Sequence, residues 1–597
     1  MCGGLWERRM FFRQKRVENR VYLQIVENHR DGAKTRQKVL LTLGRLEDLH
    51  DKDRFDKLIQ SGARFSQQLV MLSALKEGSL DRIATRRIGP PLLFGRLWKT
   101  TGVKAVIDGL LRDRAFEFPV ERAVFTTVLH RLMTSGSDRA CDYWRHAYRI
   151  DGAEDLQLHH FYRAMAWLGE ELGEEQQDNA THVPRCTKDL IEELLFDHRR
   201  DLLTDLSLVF LDTTSLYFTG EGGETLGRRG KSKDHRPDLM QMLLAVVMDG
   251  DGRPVCTEMW PGNTADVTAL LPIIDRLRSR FAIGRVCVIA DRGMIRKATM
   301  QGLEERKLDY ILGARERTDP LIREVVLEDK KPFTPLCVTK AKGKTALQEG
   351  KQPRPQDETQ LWVKEVMVGE ARYIVCKNEI EANKDAADRA AVLQALEEQL
   401  KQNDKALIGN SAYRRFLKAG GKKSEKVFQI DPGKVADEAR FDGIFVLRTN
   451  TKISALQVVL RYRDLWQVET LFRDAKSLLS TRPIFHSSDA AIRGHVFCSF
   501  LALVLKKDLA DRYAAKDFKV EWDQARLDLD RLEEITVADQ DRELLLRTDA
   551  DGAVPTLFRS VGIALPPRMR NPKPPPEPTT KPAKKRRGRP RRGATRT

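Results

Sequence analysis

Leu206-Ser-Leu-Val-Phe-Leu-Asp212 and Val286-Cys-Val-Ile-Ala-Asp291 are two short apolar runs, each closed by an aspartate. Such runs predict buried strands, and a side chain that follows one emerges at the carboxyl end of the sheet, where neighbouring strand ends converge. Between them lie a second apolar run, Leu239–Met248, the turn Asp249-Gly-Asp-Gly252, a third strand over Pro254–Trp260 and a helical pattern over Val267–Arg280. Leu308–Leu312 adds a further strand. Three antiparallel strands, a helix and more strands predict a mixed α/β core.

Working outward, residues 320–440 interrupt that core. Lys330–Arg354 carries seven basic residues against Glu349 in a stretch punctuated by Pro and Gly, which predicts loop. Strands follow at Gln360–Met367 and Ala371–Cys376, a solvated helix at Asp385–Gln402 and a strand at Val427–Ile430, so the segment reads as a β-rich insertion. The core resumes with Gly443–Leu447, a long helix over Ser454–Leu479 and an apolar helix over Ile492–Leu509. Upstream, alternation in Val21–Val26 and Lys38–Leu43 around Asp31-Gly32 predicts a hairpin. Apolar residues at steps of three and four across Ile88–Leu203 predict a helical region. The resulting division is 1–85 (hairpin region), 86–204 (helical, DNA-binding), 205–319 and 441–515 (the two parts of the core), 320–440 (insertion), 516–565 (helical segment) and 566–597 (disordered basic tail).

A third acid joins the two aspartates. Glu469 lies midway along Ser454–Leu479, where Tyr462, Leu465, Glu469, Phe472 and Lys476 share one helical face and Arg473 lies one turn beyond Glu469. Carboxylates at strand ends and on an apposed helix predict a divalent-cation site, because Mg²⁺ takes hard oxygen ligands, usually one or two carboxylates with phosphate and water. Two such ions about 3.5–4 Å apart activate a water or a 3′-hydroxyl and stabilise the leaving oxygen of an in-line phosphoryl displacement. Taken singly, each acid has an ordinary reading as a turn, cap or surface ion-pair residue.

Together with Leu211-Asp-Thr-Thr-Ser215, Lys231-Ser-Lys-Asp-His-Arg-Pro-Asp238, Gly262-Asn-Thr-Ala-Asp266, Ala290-Asp-Arg-Gly-Met294 and Arg482-Pro-Ile-Phe-His486, the stretch Tyr462–Lys476 resembles the DDE transposases of bacterial insertion sequences, in the branch marked by Tyr-x2-Arg-x3-Glu-x6-Lys. The resemblance runs from about residue 10 to 510. It implies a ribonuclease-H-like core with Asp212, Asp291 and Glu469 as catalytic and metal-binding triad for two Mg²⁺ (or Mn²⁺) ions, and Tyr462 and Lys476 on the DNA backbone near the transposon end. It further implies cleavage of transposon ends and their joining to target DNA by a homodimer on paired ends. The sequence departs from the signature at Leu465, where the branch has Arg; Arg463 and Arg473 are the nearby substitutes. A transposase-derived DNA-binding protein without catalysis and a nuclease of the same fold without strand transfer are the alternatives, and only the first predicts a damaged triad.

Charge points to the same partner. The chain has 597 residues, 41% hydrophobic and 32% charged, with net charge +18, which excludes a disordered chain and implies a polyanionic partner. Pro566–Thr597 holds twelve Lys and Arg against Glu577, leaving only +7 for the rest. That tail cannot bury its charge. Within it Arg587-Gly-Arg-Pro590 resembles the AT-hook core, whose arginines, here Arg587 and Arg589, enter a narrow minor groove; the plainer reading is a nonspecific basic tail. Near Asp212, Lys231, Lys233 and Arg236 are candidate phosphate contacts, against a solvated loop. Arg145, His146 and Arg149 lie in an aromatic helix that suits phosphate contact or plain packing. Thr225–Ser232 ends like a Walker A loop, but its first position is Thr and no strand feeds it, so no nucleotide requirement is expected. Eight scattered cysteines without a Cys-x-x-Cys pair predict reduced core thiols. No apolar run reaches 18 residues and no signal pattern opens the chain, so the expected location is cytoplasmic, on the nucleoid.

Overall fold

The computed structural model describes residues 10–31, 34–50, 82–177, 183–199, 208–281, 286–291, 293, 296–314, 317–339, 358–401, 411–420, 427–478, 480–539 and 542–570. The chain divides into two compact units, Met1–Arg87 with Asp530–Asp551 and Leu565–Thr597, and Ile88–Leu529 with Gly552–Ala564.

The first unit holds two antiparallel sheets. Strands β1 (Met10–Val17), β2 (Arg20–Asp31) and β3 (Lys34–Arg45) form one, in which β2 and β3 are the hairpin anticipated from alternation. The other has the order β18-β17-β16-β4, from β4 (Arg82–Arg87), β16 (Glu533–Asp539), β17 (Arg542–Arg547) and β18 (Met569–Arg570). Two expectations are corrected here. The segment 516–565 is not helical throughout, since β16 and β17 pair within it, with Val537 and Leu544 buried together. Nor does irregular tail begin at Pro566: Met569 joins that apolar cluster, and the Arg570 guanidinium holds the fully buried Glu534 at 2.7 Å. Arg587 and Arg589 lie outside the described residues.

The second unit is a mixed α/β structure built on a nine-stranded sheet of order β10-β11-β12-β15-β9-β8-β5-β6-β7. Its strands are β5 (Leu208–Tyr217), β6 (Gln241–Asp249), β7 (Pro254–Pro261), β8 (Cys287–Ala290), β9 (Asp309–Gly313), β10 (Thr334–Thr339), β11 (Glu358–Val368), β12 (Ala371–Asn378) and β15 (Ile444–Thr449). Strands β5, β6 and β7 are antiparallel neighbours, whereas β8 and β9 join parallel to β5. Helix α2 (Asp266–Phe281) connects β7 to β8, and α3 (Lys297–Glu305) connects β8 to β9. Parallel neighbours require such crossovers. Val209, Leu211, Leu243, Ala245 and Val247 pack against Leu270, Ile273, Ile274 and Leu277 of α2, so one face of the sheet is closed by that helix.

Three differences from the sequence reading matter for the site. Strand β5 does not stop at Asp212 but continues to Tyr217, because Asp212–Tyr217 stay paired with β6 after β8 has ended. The β-rich insertion, read as an interruption of the core, continues its sheet: β10, β11 and β12 extend the central one through β15. Its remainder is a helix, Glu379–Lys401, and a small β13–β14 pair, Leu417–Gly420 with Val427–Ile430. The helix anticipated over Ser454–Leu479 is broken into α4 (Ala455–Arg463) and α5 (Trp466–Arg473), followed by a π-turn over Asp474–Leu478.

Helices Val120–Met133, Leu158–Leu168 and α6 (Asp489–Ala514) pack beside the sheet. They meet closely, since a Cβ on Gly494 would lie 1.9 Å from the Met165 carbonyl oxygen. A buried ion network ties α1 (Thr187–Arg199) to β7 and α2: Lys188, Arg276 and Arg280 face Asp189, Glu192 and Glu258. Among the described residues six cysteines are buried and free. Among the described residues no helix is long and apolar enough to cross a membrane.

Candidate active site

Phe210 of β5, Ile289 of β8, Ile311 of β9 and Thr449 of β15 form one row across four strands. Asp212 lies two residues further along β5, and Asp291 is the residue that follows the end of β8, the strand running parallel to it. Leu211 and Ala290 bury into the α2 face, so Asp212, the next residue of β5, turns to the other face. Helix α4 packs there on β8 and β9, and α5 on β5. The Tyr462 hydroxyl, at the end of α4, donates to Asp291 Oδ1 at 3.2 Å.

The electrostatics of the pair follow from this placement. Burial pushes the Asp212 carboxyl up to about 6; Lys233 and the Thr213 N–H pull it down, while the like charges of Asp291 and Asp266 push it up again. The Thr213 N–H donates to Asp212 Oδ1 at 2.7 Å. A half-buried carboxylate raised by burial and by neighbouring acids is what a hard divalent cation neutralises, so the donor set fits Mg²⁺ or Mn²⁺. Glu469 is exposed on α5, beside the buried Val468, Leu471 and Phe472, and makes no hydrogen bond or ion pair among the described residues. The oxygens of Asp212, Asp291 and Glu469 do not all lie within 4.8 Å of one another. The fold thus brings the aspartates together and leaves Glu469 standing off on the helix packed over β5.

The basic candidates divide. Lys233 reaches inward, with Nζ 2.6 Å from the Thr213 carbonyl oxygen, 2.7 Å from Thr213 Oγ1 and 3.3 Å from Asp266. Arg236 is exposed and paired through two nitrogens with Asp238. Lys231 and Arg473 are exposed. Lys476 pairs with Asp234 at 2.8 Å, as does Arg482 on its other oxygen. Burial pulls the Lys476 ammonium pKa down, and Asp234 pulls it back up. Leu465 is 6% exposed at the α4–α5 junction, so the position where the signature has Arg is apolar core in this chain. Arg145 is a packing residue, not a phosphate contact: its donors go to Asp142 and to the carbonyls of Ala153, Glu154 and Leu156.

Sequence reasoning missed Asp234 and Asp266. Both lie inside motifs already singled out, but a lone acid carries no local signal of the partners it meets. Glycine is required nearby, since a Cβ on Gly262 would lie 2.0 Å from the Gln241 carbonyl oxygen.

Asp138, His486 and His495 are the described residues whose ligand atoms do cluster. They do not fit a metal. Arg131 donates to His495 Nδ1 at 2.9 Å, which leaves Nε2–H to donate to the Thr481 carbonyl at 3.1 Å, so neither nitrogen has a free lone pair. A guanidinium beside the ligand atom also repels a cation. The cluster instead fastens His486 to Asp138 at 3.2 Å.

Residues 203–505 match the family described as Transposase DDE domain, and residues 8–76 that described as IS1634 family transposase, N-terminal domain. The first match spans both aspartates and Glu469, and defines the class as DDE transposase. Among solved structures, the cryo-EM structure of a piggyBac transposase synaptic complex with hairpin DNA is similar at 12% identity and TM-score 0.35, covering 74% of this chain and 79% of that one; a likeness at that score carries no argument. No curated protein matches. The chain belongs to the insertion-sequence DDE transposases.

Proposed function

We propose that Asp212, Asp291 and Glu469 form the catalytic triad with which this transposase cleaves its transposon ends and joins them to target DNA. The observation that carries the reading is the pair Asp212 and Asp291, the residues that follow the last paired position, Leu211 with Ala290, of the parallel strands β5 and β8, close enough for the Asp291 charge to bear on Asp212. A ribonuclease-H-like core is supported by the order β7-β6-β5-β8-β9, with β5 to β7 antiparallel and β8 and β9 parallel to β5. Two divalent ions, Mg²⁺ or Mn²⁺, held by the triad would activate the attacking hydroxyl and stabilise the leaving oxygen.

The chain's own residues do the rest. Tyr462 orients the Asp291 carboxylate. Lys233 holds Thr213 and Asp266, and through them the strand that carries Asp212. Lys231 and Arg473 are open to phosphate now; Lys476 and Arg236 reach it by leaving Asp234 and Asp238. The tail, through Arg587 and Arg589, adds charge on duplex DNA. Work on paired ends calls for a homodimer, in the cytoplasm on the nucleoid.

The test uses a labelled duplex carrying the inverted repeat that flanks the gene, with Mg²⁺ and a target plasmid. Strand-transfer products are expected. Cleavage without joining would make the protein a nuclease, and binding alone a DNA-binding relic. Asp291→Asn should abolish cleavage while end binding persists, and an Asp291→Asn variant that still cuts removes Asp291 from the triad.

A further inference from the structure

The antiparallel register of the amino-terminal sheet sorts its side chains onto two faces, because directly paired residues share a face. Val17 pairs with Arg20, Lys15 with Tyr22 and Arg13 with Gln24; Tyr22 and Gln24 pair in turn with Arg45 and Thr42. One face therefore carries Arg13, Lys15, Arg20 and Arg45. From the Val17–Arg20 pair to the Asn28–Gln37 pair it holds no carboxylate, whereas the other face has Glu27 beside Lys38.

The cationic face is also ordered. Arg13 donates to Gln24 and Gln37 Oε1, each at 2.8 Å, and Gln24 Nε2 donates to Thr42 Oγ1 at 3.1 Å. The Tyr22 phenol is held below its ordinary pKa by hydrogen bonds from Arg45 and then Arg20. The Val26 end of the face is buried, while Lys15 and Arg20 at the other end are exposed. An open end with arginines fixed by neutral amides and a phenol, and with no acid in its strand pairs beyond the turn residue Glu18, is complementary to a row of phosphates. Strands can lie in a DNA groove, and the major groove admits a two-stranded ribbon.

We infer that this face of β1–β3 binds the duplex of the transposon end through its phosphates, with Lys15 and Arg20 as the outermost contacts. The inference rests on the transposase reading for its ligand but on none of the catalytic residues. In the test, the full-length chain is titrated without metal against the labelled inverted-repeat duplex at several salt concentrations. Each phosphate contact contributes about 0.9 to the slope of log affinity on log salt. Lys15→Ala with Arg20→Ala should therefore lower the slope by about 2, and the affinity at 0.1 M salt by roughly 60-fold. Lys15→Arg with Arg20→Lys should keep both. Arg16→Ala with Lys38→Ala, on the opposite face, should leave the slope near wild type. A wild-type slope in the first variant overturns the inference, as does an equal loss in the charge-keeping or opposite-face pair. If the wild-type chain cuts the duplex with Mg²⁺ while the Lys15/Arg20 variant binds normally, the surface is wrong and the transposase reading stands; a wild-type chain that neither binds nor cuts fails the reading itself.

Discussion

Arg280→Met tests how the sheet is tied to the helices beside it. The Arg280 side chain is 1% exposed and meets Glu192 at 2.6 Å, Glu193 at 2.8 Å, Glu258 at 3.0 Å and Asp189 at 3.2 Å. Three buried cations face three buried acids; with Met in place, two cations face three. The surplus carboxylate can stay charged, at a cost of about 3–5 kcal/mol, or take up a proton. From the ordinary glutamate value of 4.5, protonation at pH 7 costs about 3.4 kcal/mol, at 1.36 kcal/mol per unit. Glu192 is the proton acceptor, because burial already pushes its carboxyl up against the pull of Lys188 and Arg280. Asp189 stays charged: burial raises it, but Lys188, Arg280 and Arg276 together hold it well below the ordinary range. The sign follows. A carboxyl raised in the folded state leaves stability intact below its unfolded value and removes it as pH rises through the folded one. The loss relative to wild type should be about 3 kcal/mol at pH 7 and below about 1 kcal/mol at pH 5. Urea unfolding of both proteins at the two pH values measures it. A loss under 1 kcal/mol at pH 7, or one that ignores pH, refutes the reasoning.

Three further outcomes are expected. Glu469→Gln should cut end cleavage by roughly 100-fold or more, beyond the cost of disturbing a metal ligand's support, with end binding intact; cleavage within tenfold of wild type would take Glu469 out of the triad. Tyr462→Phe removes the hydroxyl on Asp291 and should raise the Mg²⁺ concentration for half-maximal cleavage by roughly tenfold, so an unmoved titration curve denies Tyr462 its positioning role. Deleting residues 571–597 should reduce the salt slope of DNA binding by about 7 if about eight of its charges meet phosphate; a slope unchanged by the deletion means the tail stays off the duplex.

The strands that lead to the aspartates were legible because a strand buried on both faces reads as a short continuous apolar run, and Leu208–Leu211 and Cys287–Ala290 are apolar throughout. The break between α4 and α5 was not, because nothing from Ser454 to Leu479 is Gly or Pro; the chain turns at Asp464–Leu465 where Leu465 enters the core. That break is why an unbroken helical wheel placed Glu469 with Tyr462, whereas the folded chain leaves the one exposed and the other on Asp291. At Arg145 the packing reading holds over phosphate contact, because neighbouring carbonyls occupy the guanidinium. Partners such as Asp234 and Lys476 are 242 residues apart, and no local pattern encodes that meeting. The insertion's strands were readable as strands, but which sheet they join is a matter of long-range pairing.

The row Phe210–Ile289–Ile311–Thr449 works as a ruler. The segment that leads into α4 departs from β15, whose main chain is hydrogen-bonded in step with the strands of both aspartates. The far edge of the same sheet is β10, with four strands, β11, β12, β15 and β9, between it and β8. Length can thus be added between β10 and β11 without shifting the ruler, which makes this connection the natural place to graft a passenger domain; one residue added between Ile311 and Thr449 in the paired segments would slide Tyr462 off its mark.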